Sequence, residues 1–150
     1  MNSSIGIERK SDAMELTRHI YSKYSHIRNN FPMWQILSFI DRNSNKIIVY
    51  RDKHDELVGA GMFLTLTDES LLNIINERKL TENRDIAREF LKEEGNNIHF
   101  VFVVADSAKT ILSGLRFIIK EKNPDTVSWY NPEGKLTFIQ RNKICQQYRP

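Results

Sequence analysis

The run from Ile98 to Ala105 is apolar throughout apart from His99, and it is rich in β-branched and aromatic side chains. A half-solvated strand alternates polar and apolar residues, so an unbroken run of this length reads as a central strand covered on both faces. Asp106 or Ser107 then supplies a helix cap, and Ile111, Leu112, Leu115, Ile118 and Ile119 recur at helical spacing as far as Lys122. A buried strand running directly into a capped amphipathic helix calls for an α/β arrangement. It also leaves backbone N–H groups at the strand–helix turn, where an anion or an acyl carbonyl can be received. A purely structural core strand with its packing helix carries the same pattern.

The rest of the chain is read around that unit. Residues 9 to 24 form a first helix, capped at Ser11 or Asp12, with Met14, Leu16, Ile20 and Tyr24 as its apolar stripe. Ser25 to Asn30 reads as a polar break, and Phe31–Pro32 opens a short helix carrying Trp34, Ile36, Leu37, Phe39 and Ile40. Lys46 to Arg51 and Glu56 to Thr65 make a hairpin about Lys53–His54–Asp55, and Gly59 and Gly61 signal a bulge or a close backbone approach. Asp68 caps a further helix and Thr81 starts another, which Gly95 ends; the charges around Arg88 and Lys92–Glu93–Glu94 read as solvated surface. After Asn123–Pro124, Thr126 to Tyr130 and Leu136 to Gln140 form a strand pair about Asn131–Pro132–Glu133–Gly134, and residues 142–150 are a frayed tail. The whole reads as one domain, residues 1–150, of mixed α/β (α+β) class: a mostly antiparallel sheet with helices on both faces.

Composition narrows the setting. With 150 residues, 40% hydrophobic and 27% charged, the chain suits one soluble domain, and no apolar run approaches the roughly 20 residues of a membrane span. The N-terminus lacks the apolar core of a secretory signal, and the single cysteine, Cys145, fits a reducing cytoplasm. The net charge of +3 comes from 22 basic residues interspersed with 19 acidic ones. Lys135, Arg141, Lys143 and Arg149, with Tyr148 for stacking, are too short a run to make nucleic acid the expected partner.

Chemistry-bearing signatures are few. There is no GxGxxG, no phosphate-binding P-loop, no GxSxG elbow and no His/Cys spacing for a metal, so neither a resident cofactor nor a metal is expected. His54 belongs to a turn, while His19 and His99 sit within a helix and the central strand. His26 falls in the polar break beside Ser22 and Ser25, where an imidazole is held near a core yet stays accessible, as a general base must be.

The order hairpin, helices, central strand, helix and strand pair resembles the acyl-CoA N-acyltransferase (GNAT-like) fold. Within it the chain is similar to the toxin-activating lysine acyltransferases, which fatty-acylate RTX toxins. The matching segments are Ser22 to Pro32 (SKYSHIRNNFP), Lys46 to Phe63 (KIIVYRDKHDELVGAGMF), Gly95 to Ser107 (GNNIHFVFVVADS) and Gly134 to Arg141 (GKLTFIQR). The resemblance implies that His26 deprotonates a lysine amine or takes the acyl group, with an acyl-carrier protein or acyl-CoA as co-substrate and a protein as acceptor. The family's aspartate falls at Asn96, which can orient an imidazole but cannot offset an imidazolium charge. Val104, Ala105, Asp106 and Ser107 would lie against the acyl donor, with backbone N–H groups polarising its carbonyl. Acetyl-CoA transferases of this fold carry a glycine-rich pyrophosphate loop there; this chain has no glycine in it, and Asp106 would repel a phosphate. The same layout resembles that of small phage proteins that accompany particles or act inside hosts, often with no demonstrated catalysis. The alternative is therefore an inactive, phage-encoded interaction or structural module, with Phe31, Trp34, Trp129 and Tyr130 as interface anchors.

Overall fold

The structure, a computed structural model, describes residues 4–7, 13–42, 46–77, 93–131, 133 and 135–140. In chain order the elements are β1 (Ser4–Ile7), α1 (Ala13–Lys23), α2 (Ser25–Asn30), α3 (Met33–Arg42), β2 (Ile47–Arg51), β3 (Leu57–Leu66), α4 (Asp68–Glu77), β4 (Asn97–Ala105), α5 (Ala108–Lys122), β5 (Thr126–Tyr130) and β6 (Leu136–Gln140). The strands neighbour one another in sequence order, β1-β2-β3-β4-β5-β6. The pairs β1·β2, β2·β3 and β5·β6 are antiparallel and β4·β5 is parallel, which is the mixed, mostly antiparallel sheet the sequence calls for. The expected helix from Thr81, the caps at Ser11 and Asp12, Cys145 and the tail lie outside the described residues.

The residues group into two compact units, the first comprising Met1–Met62 with Val103–Gly114. Here α1 buries Leu16, Ile20 and Tyr21 but leaves Met14 exposed. Ser25–Asn30 is not a break. Tyr24 alone is extended (φ −116°, ψ 104°), and the chain then re-enters a helix that buries Ile27 and ends where Phe31 N–H donates to Ile27 O at 2.9 Å. Tertiary bonds override the polar composition: the Tyr21 hydroxyl donates to Phe31 O, and Arg28 donates to Tyr21 O. In α3, Ile36, Phe39 and Ile40 are buried, whereas Trp34 is 47% exposed. Asp52 builds the hairpin turn by accepting from His54 N–H at 2.8 Å and Glu56 N–H at 3.0 Å, which lets Asp55 adopt a left-handed φ of 63°. Those backbone bonds, Glu56 first, hold the Asp52 carboxyl below the usual carboxylate range. Register slips between Tyr50↔Gly59 and Arg51↔Leu57, a bulge of the kind the glycines suggest. β1, which pairs Ser4↔Arg51 through Ile7↔Ile48, has no counterpart in the sequence expectations.

The second unit comprises Phe63–Phe102 and Leu115–Pro150. Thr67, rather than Asp68, caps α4: Leu71 N–H donates to its carbonyl at 3.0 Å and Ser70 N–H to its hydroxyl at 3.3 Å. Glu93 is no solvated surface charge. Its carboxylate accepts from Thr67 N–H at 2.6 Å and from the Ser70 hydroxyl at 2.8 Å, at the positive end of the helix dipole. Gly95 is required by contact, since a Cβ there would lie 2.1 Å from the Leu66 carbonyl. Asn97 is buried and fully used: its amide donates to Leu66 O (3.0 Å) and Asp68 Oδ1 (2.8 Å) while its oxygen accepts from the Thr126 hydroxyl (2.8 Å). Four consecutive residues of β4, Asn97 to Phe100, are buried before the strand begins to alternate. Leu115, Ile118 and Ile119 give α5 its buried side, and Asn123 closes it with a φ of 46°. Asn131 shapes the last turn, its side-chain oxygen accepting from Glu133 and Lys135 N–H at 3.0 and 2.9 Å.

Candidate functional site

The β4–α5 turn lies wholly in the first unit. Val104 is buried, Ala105 half-buried, and Asp106 and Ser107 exposed. Asp106 N–H donates to Val58 O at 2.9 Å, which ties the turn to β3. Gly59 lies so close that a Cβ would sit 3.0 Å from Thr110 Cγ2 and 3.3 Å from Val104 O. Ser107 is the cap of α5: its hydroxyl accepts from Thr110 N–H at 3.2 Å, and its carbonyl accepts from Ile111 N–H at 3.3 Å. The N–H groups of Ser107, Ala108 and Lys109 have no partner among the described residues.

The Asp106 carboxylate is held from both sides. Lys23 Nζ lies 2.7 Å from Oδ2, and the Tyr24 hydroxyl donates to Oδ1 at 3.0 Å. Lys23 also donates to Leu57 O, so the last residue of α1 bridges β3 and the turn. Burial first, then the hydrogen bond to and the charge of Asp106, pushes the Tyr24 phenol above its usual value and keeps it a neutral donor. Beside the lysine an open groove of about 520 Å³ is lined by His19, Ser22, Arg51, Glu56 and Leu57, and it carries charges of both signs.

His26 is half-buried on α2, and its partner is Asn30 at the end of the same helix. Asn30 Nδ2 lies 2.7 Å from His26 O and 3.0 Å from His26 Nδ1. A carbonyl only accepts, so the amide must present its nitrogen here, and its second hydrogen then meets the Nδ1 lone pair. The neutral ring therefore carries its proton on Nε2. Asn96 belongs to the second unit, is exposed, and accepts Asp125 N–H at its backbone carbonyl at 2.7 Å. Of the proposed interface aromatics, Phe31 is buried and Trp34 exposed, with Trp129 and Tyr130 half-buried.

The second unit holds a buried polar pair of which sequence reasoning reads only His99, as a residue of the central strand. His99 and Ser128 face each other across the parallel β4·β5 ladder, and Nδ1 lies 2.9 Å from the hydroxyl. Both are buried, and the Tyr130 ring meets His99 edge-on at 5.8 Å. Burial brings the imidazole down from the usual histidine value to about 4, so it is neutral at pH 7. A lone histidine inside an apolar run is the only sequence signal for it. The ladder ends one rung later, at Phe100↔Trp129, while β4 runs on to Ala105 without a β5 partner. No group of three potential metal ligands occurs among the described residues, and none of their helices is long and apolar enough to cross a membrane.

Neither a protein-family profile nor a curated protein sequence matches the chain. Solved structures do match. The loading GNATL domain of CurA from Lyngbya majuscula superposes with a TM-score of 0.59 at 12% identity, covering 87% of this chain and 65% of that one. The fold is GNAT-like. N-acetylglutamate synthase from Neisseria gonorrhoeae, complexed with coenzyme A and N-acetyl-glutamate, gives 0.54 at 7% identity over 86% of this chain and 25% of that one. Mosquito arylalkylamine N-acetyltransferase like 5b gives 0.52 at 10% identity over 85% and 75%. The chain thus spans less than two thirds of the first two matched structures. The β4–α5 turn of this GNAT-like chain is capped by Ser107 and fronted by a carboxylate, with no glycine between Val104 and Lys109.

Proposed function

We propose that the chain transfers an acyl group from a thioester donor, an acyl-CoA or an acyl-carrier protein, to an amine such as a protein lysine. The observation that carries this reading is the end of the β4·β5 ladder at Phe100. Among the described residues, the β4 backbone from Val101 to Ala105 has no β5 partner, and the strand runs into N–H groups at Ser107 to Lys109 that likewise lack one. An extended, amide-bearing donor arm can add to such an edge by main-chain hydrogen bonds, and N–H groups aimed at a carbonyl stabilise the oxyanion of acyl transfer. His26 takes the proton of the attacking amine. The C–N bond forms, the C–S bond breaks, and the imidazolium returns the proton to the departing thiolate. For His26 to accept at Nδ1, Asn30 must swing off it; both are at the surface, and an exposed hydrogen bond of this kind is worth only about 1 kcal/mol. The finer reading, supported by the segment resemblance, is a toxin-activating type of lysine acyltransferase in the cytoplasm. It gives Asn96 the orienting role, which an Asn96→Asp variant tests by a rise in rate.

The test is native mass spectrometry of the protein titrated with acetyl-CoA, a long-chain acyl-CoA and an acyl-acyl-carrier protein. A specific donor complex, with acyl transfer lost in His26→Ala at an unchanged Tm, supports the reading; turnover retained in His26→Ala removes the assignment. The second reading is an inactive, phage-encoded module that binds a protein. It is favoured by Met33 and Trp34, exposed side by side in sequence at 43% and 47% at the start of α3. The absence of any donor complex would favour it.

A further inference from the structure

The β4–α5 turn combines two features that pull in opposite directions. Three N–H groups without a partner among the described residues, at Ser107, Ala108 and Lys109, together with the positive end of the α5 dipole, favour an anion. The carboxylate of Asp106, immediately before them, opposes one. The nearby cation does not tip the balance, because Lys23 Nζ is already engaged by Asp106 Oδ2 at 2.7 Å and by Leu57 O. The Tyr24 hydroxyl, kept protonated, fixes the other carboxylate oxygen at 3.0 Å, so the carboxylate is gripped by two side chains from the end of α1. The Asp106 N–H is also unavailable to a ligand, since it donates to Val58 O.

We infer that Asp106 is a specificity-determining residue: clamped by Lys23 and Tyr24, it closes the start of α5 to a diphosphate, so a nucleotide-linked thioester gains nothing from its nucleotide. The inference rests on the acyl-transfer reading for its biological meaning, but the anion filter itself does not. A donor is then recognised through the arm that carries the thioester, and removing the charge of Asp106 turns the filter into a site. An Asp106→Asn change releases Lys23 Nζ from its ion pair, leaving it held only by Leu57 O beside three N–H groups without a partner among the described residues, the donor set that holds phosphates at helix starts elsewhere.

The experiment titrates the full chain with inorganic pyrophosphate, acetyl-CoA and acetyl-pantetheine, following the amide resonances of Ser107 to Lys109 and the binding heat. Wild type should show no saturable response to pyrophosphate and should bind the two thioesters within roughly threefold of each other. Asp106→Asn should bind pyrophosphate and favour acetyl-CoA over acetyl-pantetheine by on the order of tenfold, the worth of one charge-assisted contact. The Lys23→Met/Asp106→Asn double variant should lose that gain, which ties it to the released ammonium. Pyrophosphate binding by wild type, or no gain in Asp106→Asn folded to the wild-type Tm, overturns the inference; the wild-type titration stands even if the variant does not fold. Should pyrophosphate behave as expected while neither thioester binds, the filter is upheld and the acyl-transfer reading is what fails.

Discussion

The buried imidazole of His99 makes the second unit sensitive to acid, and the size of the effect follows from its surroundings. In the unfolded chain His99 titrates near 6.5; in the folded protein burial lowers that to about 4. Above about pH 6.5 both states hold the ring neutral and stability is unaffected. As pH falls from 6.5 towards 4, only the unfolded state takes up the proton, so unfolding is progressively favoured; below about 4 both states are protonated and the loss is complete. The lowering from 6.5 to about 4, at about 1.4 kcal/mol per pH unit, corresponds to roughly 3 to 4 kcal/mol. Carboxylates titrate over part of the same range, so the measurement is a difference. Urea unfolding at half-unit steps from pH 7.5 to 3.5 is compared between wild type and His99→Gln, in which an amide can still meet the Ser128 hydroxyl but cannot ionise. Wild type should lose roughly 3 to 4 kcal/mol more than the variant, almost all of it between pH 6.5 and 4. Parallel pH profiles for the two proteins would refute the claim that His99 is neutral and sealed from water.

Other substitutions have defined outcomes. Gly95→Ala drives a Cβ into the Leu66 backbone at 2.1 Å, where no side chain can yield, and should cost about 3 kcal/mol or more in chemical denaturation. Gly59→Ala meets a movable threonine methyl at 3.0 Å and should cost less, about 1 kcal/mol, in the same assay. Ser107→Ala removes the α5 cap and should lower stability by about 1 kcal/mol, with the amide of Thr110 losing hydrogen-exchange protection first. Asn97→Ala strands the buried Leu66 carbonyl, takes the acceptor from the half-buried Thr126 hydroxyl and should cost about 2 kcal/mol, read as a lowered denaturation midpoint.

The parts of this fold that announce themselves in the sequence are those in which one local pattern decides the outcome. Ile98 to Ala105 can be little else than a buried strand, and α5 follows from its own periodicity. β1 was illegible because Ser4–Ile7 is too short to show a pattern, and its existence depends on pairing with β2. α2 was misread because Ser25, Arg28, Asn29 and Asn30 look like loop; one buried isoleucine and bonds from Tyr21 and Arg28 make the helix worthwhile. At the candidate site, His26 stands out by type, but its partner in the structure is Asn30, one helical turn away, which the sequence reading left unremarked. The charge of Asp106 alone marks it as hostile to phosphate; that Lys23 and Tyr24 clamp it depends on residues more than 80 positions earlier, which no local pattern supplies.

The first unit is assembled from Met1–Met62 and from Val103–Gly114, with the second unit begun in between and finished afterwards. A ribosome making this chain therefore releases the first three helices and the hairpin before the segment that fastens them exists. Until Asp106 emerges, Lys23 lacks its ion-pair partner and the Val58 carbonyl lacks its donor. Nascent chains stalled short of the α5 region should consequently be protease-sensitive and prone to chaperone capture. Because contacts this distant in sequence close late, the two units should gain protection together rather than one after the other during synthesis.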